Sequence, residues 1–270
     1  MPRQPGKYGR RPPKNAPALR LSRLLTGTVP AHPAAADYLA VLGGGWQMLG
    51  NDRYGDCNAV TWANTRRLVT GTLATEAYPD QDQVYAFYKT QNPGFPAEDD
   101  GMDVQTGLEY LHASGGPDGA RAVAFARVDH TDADQVKAAI AIFGSIWTGI
   151  NVLAVNDQQF ADDEPWDYSP ASPVEGGHAI VTGGYGAEPG DTAGRHPRPP
   201  HSGGPLSGDE KFITWAAETS FTDAFWTHQV EESWVVVWPE HLGTREFEAG
   251  IDQVQLAADY EAITGNTLQT

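Results

Sequence analysis

An α+β fold is expected from this sequence, and two observations predict it. Segments with helical periodicity fill the first half of the chain, and short β-rich runs bounded by Gly, Pro and Asp fill the second. The 270 residues also contain 40% hydrophobic residues, with 8 Trp, 10 Tyr and 9 Phe, enough for a substantial packed core.

Residues 1–35 are rich in Pro, Arg and Ala without an apolar period, and read as an extended arm. The body starts near Asp37. Asp56 is placed to cap a helix from Cys57 to Val69, with Gly71 as its stop. Further helices fit Asp80 to Lys89, Val104 to Ala113 and Ala133 to Phe143, the last capped by Thr131 or Asp132. Strands fit Ser145 to Leu153, His178 to Tyr185, Phe212 to Ala217 and Ser233 to Trp238. Between the second and third of these, residues 187–210 read as a long surface loop. An amphipathic stretch from Phe247 to Ile263 predicts a closing helix. The organisation expected is thus an arm (1–35), a body (36–245) and a helical tail (246–270).

The net charge of −17 conceals an asymmetry. Residues 1–23 hold seven basic residues, and the first acid is Asp37; the remainder has 11 basic residues against 35 acidic ones, a net of −24. So acidic a body repels nucleic acid, whereas the arm suits an acidic protein surface. No apolar run reaches the ~20 residues of a membrane helix, and the basic N-terminus lacks the apolar stretch of a secretory signal. A single cysteine excludes an internal disulfide framework and a multi-cysteine zinc site.

Cys57, at a helix start, feels the positive end of the helix dipole, which favours thiolate, while Asp56 beside it opposes this. A buried cysteine acting as a small apolar residue is the alternative. His178 opens a strand flanked by glycines, Gly176-Gly177-His178 through Gly183-Gly184-Tyr185-Gly186, where an imidazole can face a cleft. The other histidines show no ligand spacing, so no metal is expected, and no phosphate-binding or dinucleotide motif calls for a cofactor.

The segment Asn51-Asp-Arg-Tyr-Gly-Asp-Cys57-Asn-Ala-Val-Thr-Trp62 resembles the nucleophile segment of papain-like cysteine peptidases, and Gly177-His178-Ala-Ile-Val-Thr-Gly-Gly-Tyr-Gly186 is similar to their histidine strand. Met102 to Gly116 and Gln135 to Asn151 resemble family elements lying between the two. The resemblance spans about residues 35–240 in the family's order. It implies a papain-like body, with a helical half carrying the active-site helix packed against an antiparallel sheet or barrel. It also implies Cys57 as nucleophile, His178 as base and Asn51 as side-chain oxyanion donor. Two departures stand out. Ile213 occupies the place of the asparagine that orients the histidine, so that Thr214 or Glu218 could replace it only in a different strand register; and Asn58, not Trp, follows the cysteine.

Two readings follow. The leading one is a papain fold kept as an accessory protein of a bacteriophage particle (a minor capsid, decoration or tail component), because the sequence also resembles phage-encoded papain-fold proteins. Its arm would then dock on a major capsid or tail protein, within a homo-oligomer or larger assembly located in the virion or the bacterial cytoplasm. An arm without a core of its own needs such a surface to become ordered. The other reading is an active cysteine peptidase or amidase using Cys57 and His178 on a peptide.

Overall fold

The computed structural model describes residues 3–14, 16–17, 19–27, 29–186 and 210–268; of the expected 187–210 loop, only Glu210 lies among them. In chain order, β1 (Arg10–Arg11) lies in the arm and β2 (Ala36–Asp37) at its junction with the body. The helical half comprises α1 (Cys57–Leu73), α2 (Gln81–Tyr88), β3 (Met102–Asp103) and α3 (Val104–Ala113). The second half comprises β4 (Ala124–Val128), α4 (Ala133–Phe143), β5 (Ile146–Leu153), α5 (Ala154–Ala161), β6 (Val174–Tyr185), β7 (Glu210–Thr214), β8 (Ala217–Phe221), α6 (Asp223–Gln229) and β9 (Val230–Val237). Two helices, α7 (Arg245–Gly250) and α8 (Gln253–Thr264), close the chain.

The second half is an antiparallel sheet in the order β4-β9-β5-β6-β7-β8, with β2 added against β6. Side chains alternate across each strand. From the central strands, Trp147, Ala179, Trp234 and Val236 meet Trp62, Val84, Phe87, Leu108 and Leu111 of the helical half in one core. Their neighbours Ile146, Ile180, Val235 and Val237 face a second core with Ile140, Phe143 and Phe247 from α4 and α7. The sheet is therefore packed on both faces, each fully buried large side chain contributing about 1.5–3 kcal/mol. Helix starts are fixed by carboxylates. Asp80 forms a full capping box with Gln83, Asp103 accepts from the Thr106 amide and Asp132 from that of Gln135.

Several boundaries differ from expectation for local reasons. The first helix does not stop at Gly71 but runs to Leu73; Gly71 is there for packing, since a Cβ would lie 2.5 Å from Leu42. Asp56 sits at the N-cap, yet its side chain makes no capping bond. The run Phe212 to Ala217 is two strands joined by a two-residue turn, with Trp215 and Ala216 at φ 44° and 61°. Such a turn normally takes Asn-Gly, so the sequence carries no turn signal. The tail is two helices, because Ile251 bridges to Leu25 and Asp252 caps a fresh start for α8.

Candidate active site

The helix α1 packs directly on β6, and this contact brings its first residue to the histidine strand. The Cys57 thiol is buried, and the backbone amides of Ala179, the residue after His178, and of Gly9 in the arm lie near enough to favour its thiolate. Burial pushes the thiol up to about 12; Asp56 adds to this, while the two amides and Arg10 pull the other way.

His178 pairs with Ile150 of β5 and is fully buried. Burial, assisted by the nearby Arg10 charge, holds the imidazole down at about 3, so it is neutral. Its Nε2 lies 2.6 Å from Thr214 Oγ1. Its Nδ1 is buried and has no hydrogen-bond partner among the described residues. The thiol thus lies against Ala179, next in the chain to His178, and no hydrogen bond joins thiol and imidazole among the described residues.

The polar contact to the histidine that Ile213 cannot make is made by the residue after it. Successive residues of a strand point to opposite faces. Ile213 turns into a small core with Leu39, Trp46, Leu68 and Val181, which leaves Thr214 on the His178 side. Glu218, the other candidate, is engaged elsewhere, accepting from the Trp46 indole at 2.8 Å. The Trp215 ring, held in the positive-φ turn, lies 5.0 Å from the imidazole centroid and covers it.

Asn51 is buried, and its Nδ2 donates at 3.0 Å to the carbonyls of Tyr54 and of Lys7 in the arm. Asp56, with no exposed surface, is pushed up to about 8, chiefly by burial, although the Asn51 amide opposes the shift.

The arm therefore occupies the candidate site. Lys7 N–H donates to the Asn51 carbonyl at 2.6 Å, Gly9 N–H to Gly177 at 3.0 Å, and Met102 N–H to Gly9 at 2.7 Å. The register continues as a parallel pairing of β1 with β3. Tyr8 packs edge-on against His178, and its hydroxyl donates to Asp157. Arg10 is buried, with Nη1 3.0 Å from Glu232. The fit depends on glycine on both surfaces: a Cβ on Gly9 would lie 1.8 Å from the Gly55 oxygen, and one on Gly177 2.2 Å from the Arg10 oxygen. The surface that orders residues 3–11 is thus this chain's own cleft.

Of the residues expected from the sequence, Cys57 and Asn51 converge on the arm, and His178 lies beside them. Thr214 was legible only as a substitute, and Glu232 and the arm's contacts were missed. The inward placement of Glu232 carried a weak signal, since it alternates with the buried Trp234 by two and with the exposed Glu231 by one.

No family model and no curated protein matches the chain. Among solved structures, it is similar to xylellain, a cysteine protease from Xylella fastidiosa, at a TM-score of 0.57 and 16% identity over 88% of this chain and 98% of that one. It is also similar to procathepsin B S9 from Trypanosoma congolense, at a TM-score of 0.51 and 10% identity over 88% and 87%. At these identities the likeness concerns the fold, which is α+β and papain-like.

Proposed function

We propose that this papain-fold chain is a cysteine peptidase held latent by its own N-terminal arm. The observation that supports the reading is the contact of α1 with β6, which puts the lone Cys57 against Ala179, the residue after a histidine whose Nε2 meets Thr214. With Nε2–H donating to Thr214, Nδ1 carries the lone pair and can take the Cys57 proton. The thiolate then adds to a peptide carbonyl carbon. The resulting oxyanion is received by Asn51 Nδ2 and the Cys57 backbone N–H, donors of a kind worth ~10²–10³ in rate apiece. The imidazolium returns its proton to the departing amine, leaving a thioester. Water, deprotonated by the same imidazole, hydrolyses the thioester and regenerates the thiol.

The arm resists this chemistry although it lies across the site. Its Gly9 N–H is given to the Gly177 carbonyl, and the Asn51 donor is filled by the Lys7 carbonyl, two residues away. The phage-accessory reading drew on an arm in need of a partner surface and on a missing orienting residue. The docking of residues 3–11 in the cleft and the Thr214 contact give each of these a different physical account.

The full-length Gly9→Ala protein, in which the arm cannot seat, is expected to hydrolyse fluorogenic peptide amides and to accumulate a thioester adduct detectable by intact mass. Cys57→Ser in the same background should abolish both. Absence of turnover and adduct across a diverse peptide library would overturn the peptidase reading.

A further inference from the structure

The Arg10 side chain enters a recess whose chemistry is more specific than arm anchoring requires. Its three nitrogens each find a separate acceptor: Nη1 meets Glu232 Oε1 at 3.0 Å, Nη2 meets Asn151 Oδ1 at 3.1 Å and Nε meets the Ile150 carbonyl at 3.3 Å. The ion pair is dry, with side-chain exposures of 2% for Arg10 and 0% for Glu232. The other carboxylate oxygen is held by the Trp234 indole at 2.8 Å and by Arg127 at 3.4 Å, so Oε1 is the oxygen turned to the recess. Gly149 forms its wall; a Cβ there would lie 2.6 Å from both the Arg10 Cδ and the Glu232 Cγ. Arg10 follows Gly9, whose N–H donates to the Gly177 carbonyl beside His178, so the recess receives a side chain next to the candidate reaction centre.

We infer that this recess is a substrate subsite for arginine, with Glu232 as its specificity-determining residue and Arg10 as its internal occupant. The inference rests on the peptidase reading and adds the substrate class. A planar guanidinium satisfies all three acceptors at once, whereas the ammonium of lysine is a single point charge. An aliphatic side chain would bury Oε1 without a partner, which is the costly outcome for a desolvated carboxylate. Among peptides the site therefore selects arginine over leucine by penalty as much as by attraction.

The test uses the full-length Gly9→Ala/Arg10→Ala protein, which frees both the thiol and the recess. Labelling of Cys57 is followed by mass spectrometry with benzyloxycarbonyl-Arg-Gly, -Leu-Gly and -Gly-Arg chloromethyl ketones, and with iodoacetamide as a reagent that ignores the recess. The faster of the Arg-Gly and Gly-Arg reagents marks the side of the thiol on which the recess lies, and it is expected to label about 10²-fold faster than Leu-Gly, as befits a buried charge-assisted site. Glu232→Gln should remove most of that preference without changing the iodoacetamide rate. Gly149→Ala, whose Cβ blocks the recess and crowds Glu232, should do the same if Glu232→Gln fails to fold. Equal or faster labelling by Leu-Gly, or an Arg preference surviving both substitutions, would overturn the inference. Failure of the peptidase reading would appear separately, as an ordinary thiol pH profile with iodoacetamide and no peptide turnover.

Discussion

Replacing Gly9 by alanine tests the latent state most directly. The obstacle is steric, because the new Cβ would lie 1.8 Å from the Gly55 carbonyl oxygen, a backbone atom that cannot swing away. The arm must lift at this point, and the thiol loses the Gly9 amide and its burial. A thiol at about 12 holds ~10³-fold less thiolate at neutral pH than one at its ordinary 9. Thiolate nucleophilicity falls with pKa along a slope of ~0.4–0.5, which returns a factor of roughly 20–30. The net expectation is a rise of about 50-fold in the iodoacetamide rate at pH 7.5, a floor that better access and ion pairing with His178 would raise. Alkylation is followed by intact mass against the urea-unfolded protein as reference, with cooperative thermal unfolding as the control for folding. If Gly9→Ala folds and alkylates at the wild-type rate, the arm is not what hides Cys57.

Other outcomes follow from the same contacts. In the Gly9→Ala background, Thr214→Val should lower kcat by roughly 10² with little change in KM, as loss of a held imidazole demands, and Thr214→Ser should restore it. The Arg66 guanidinium, 2.8 Å from both Asp118 and Glu240, links α1 to the segment after β9, and Arg66→Ala should cost about 3 kcal/mol in denaturant unfolding by leaving two carboxylates without their partner. Burial works to raise the Glu240 carboxyl, but the Arg66 hydrogen bonds outweigh it and hold the group below its usual range. The sign is then fixed: this stabilisation is complete above ~4.3, where the unfolded group ionises, and is lost as pH falls through the lower folded value. Arg66→Ala should flatten that part of the acid-unfolding curve, and an unchanged slope would contradict the assignment.

What could be read in advance was whatever a short window encodes. Cys57 at a helix start and His178 at a glycine-flanked strand are local patterns; α1 starts at Cys57 as expected, whereas β6 starts at Val174 and holds His178 inside the strand rather than at its opening. Strand alternation also settles that Ile213 and Thr214 face opposite ways, but which of them meets the histidine depends on the pairing of Val181 with Ile213, a long-range fact. The Trp215-Ala216 turn escaped because its backbone is imposed by the surrounding rings, against local preference. The arm was legible as extended and basic, but not as a cleft occupant, because Gly6 matters only against Asn51 and Trp215, and Gly9 only against Gly55 and Gly101, all far away in sequence. In the same way, the positive charge of the arm indicated an acidic partner without revealing that Glu232 supplies part of it.

The seating of Gly9 and Arg10 in the cleft has a consequence for how activity would respond to concentration. Because Leu19, Leu21, Leu24 and Leu25 pack into the core of the body, the cleft-bound segment is tethered close by and re-engages at an effective concentration of millimolar order for a short connection. Dilution cannot release a ligand of this kind, and a free peptide competes with it only at comparable concentrations or with much greater affinity. Cutting the tether between Arg11 and Leu19 would turn a permanent neighbour into an ordinary product that diffuses away, a one-way step that leaves the core residues Leu19 to Leu25 in place.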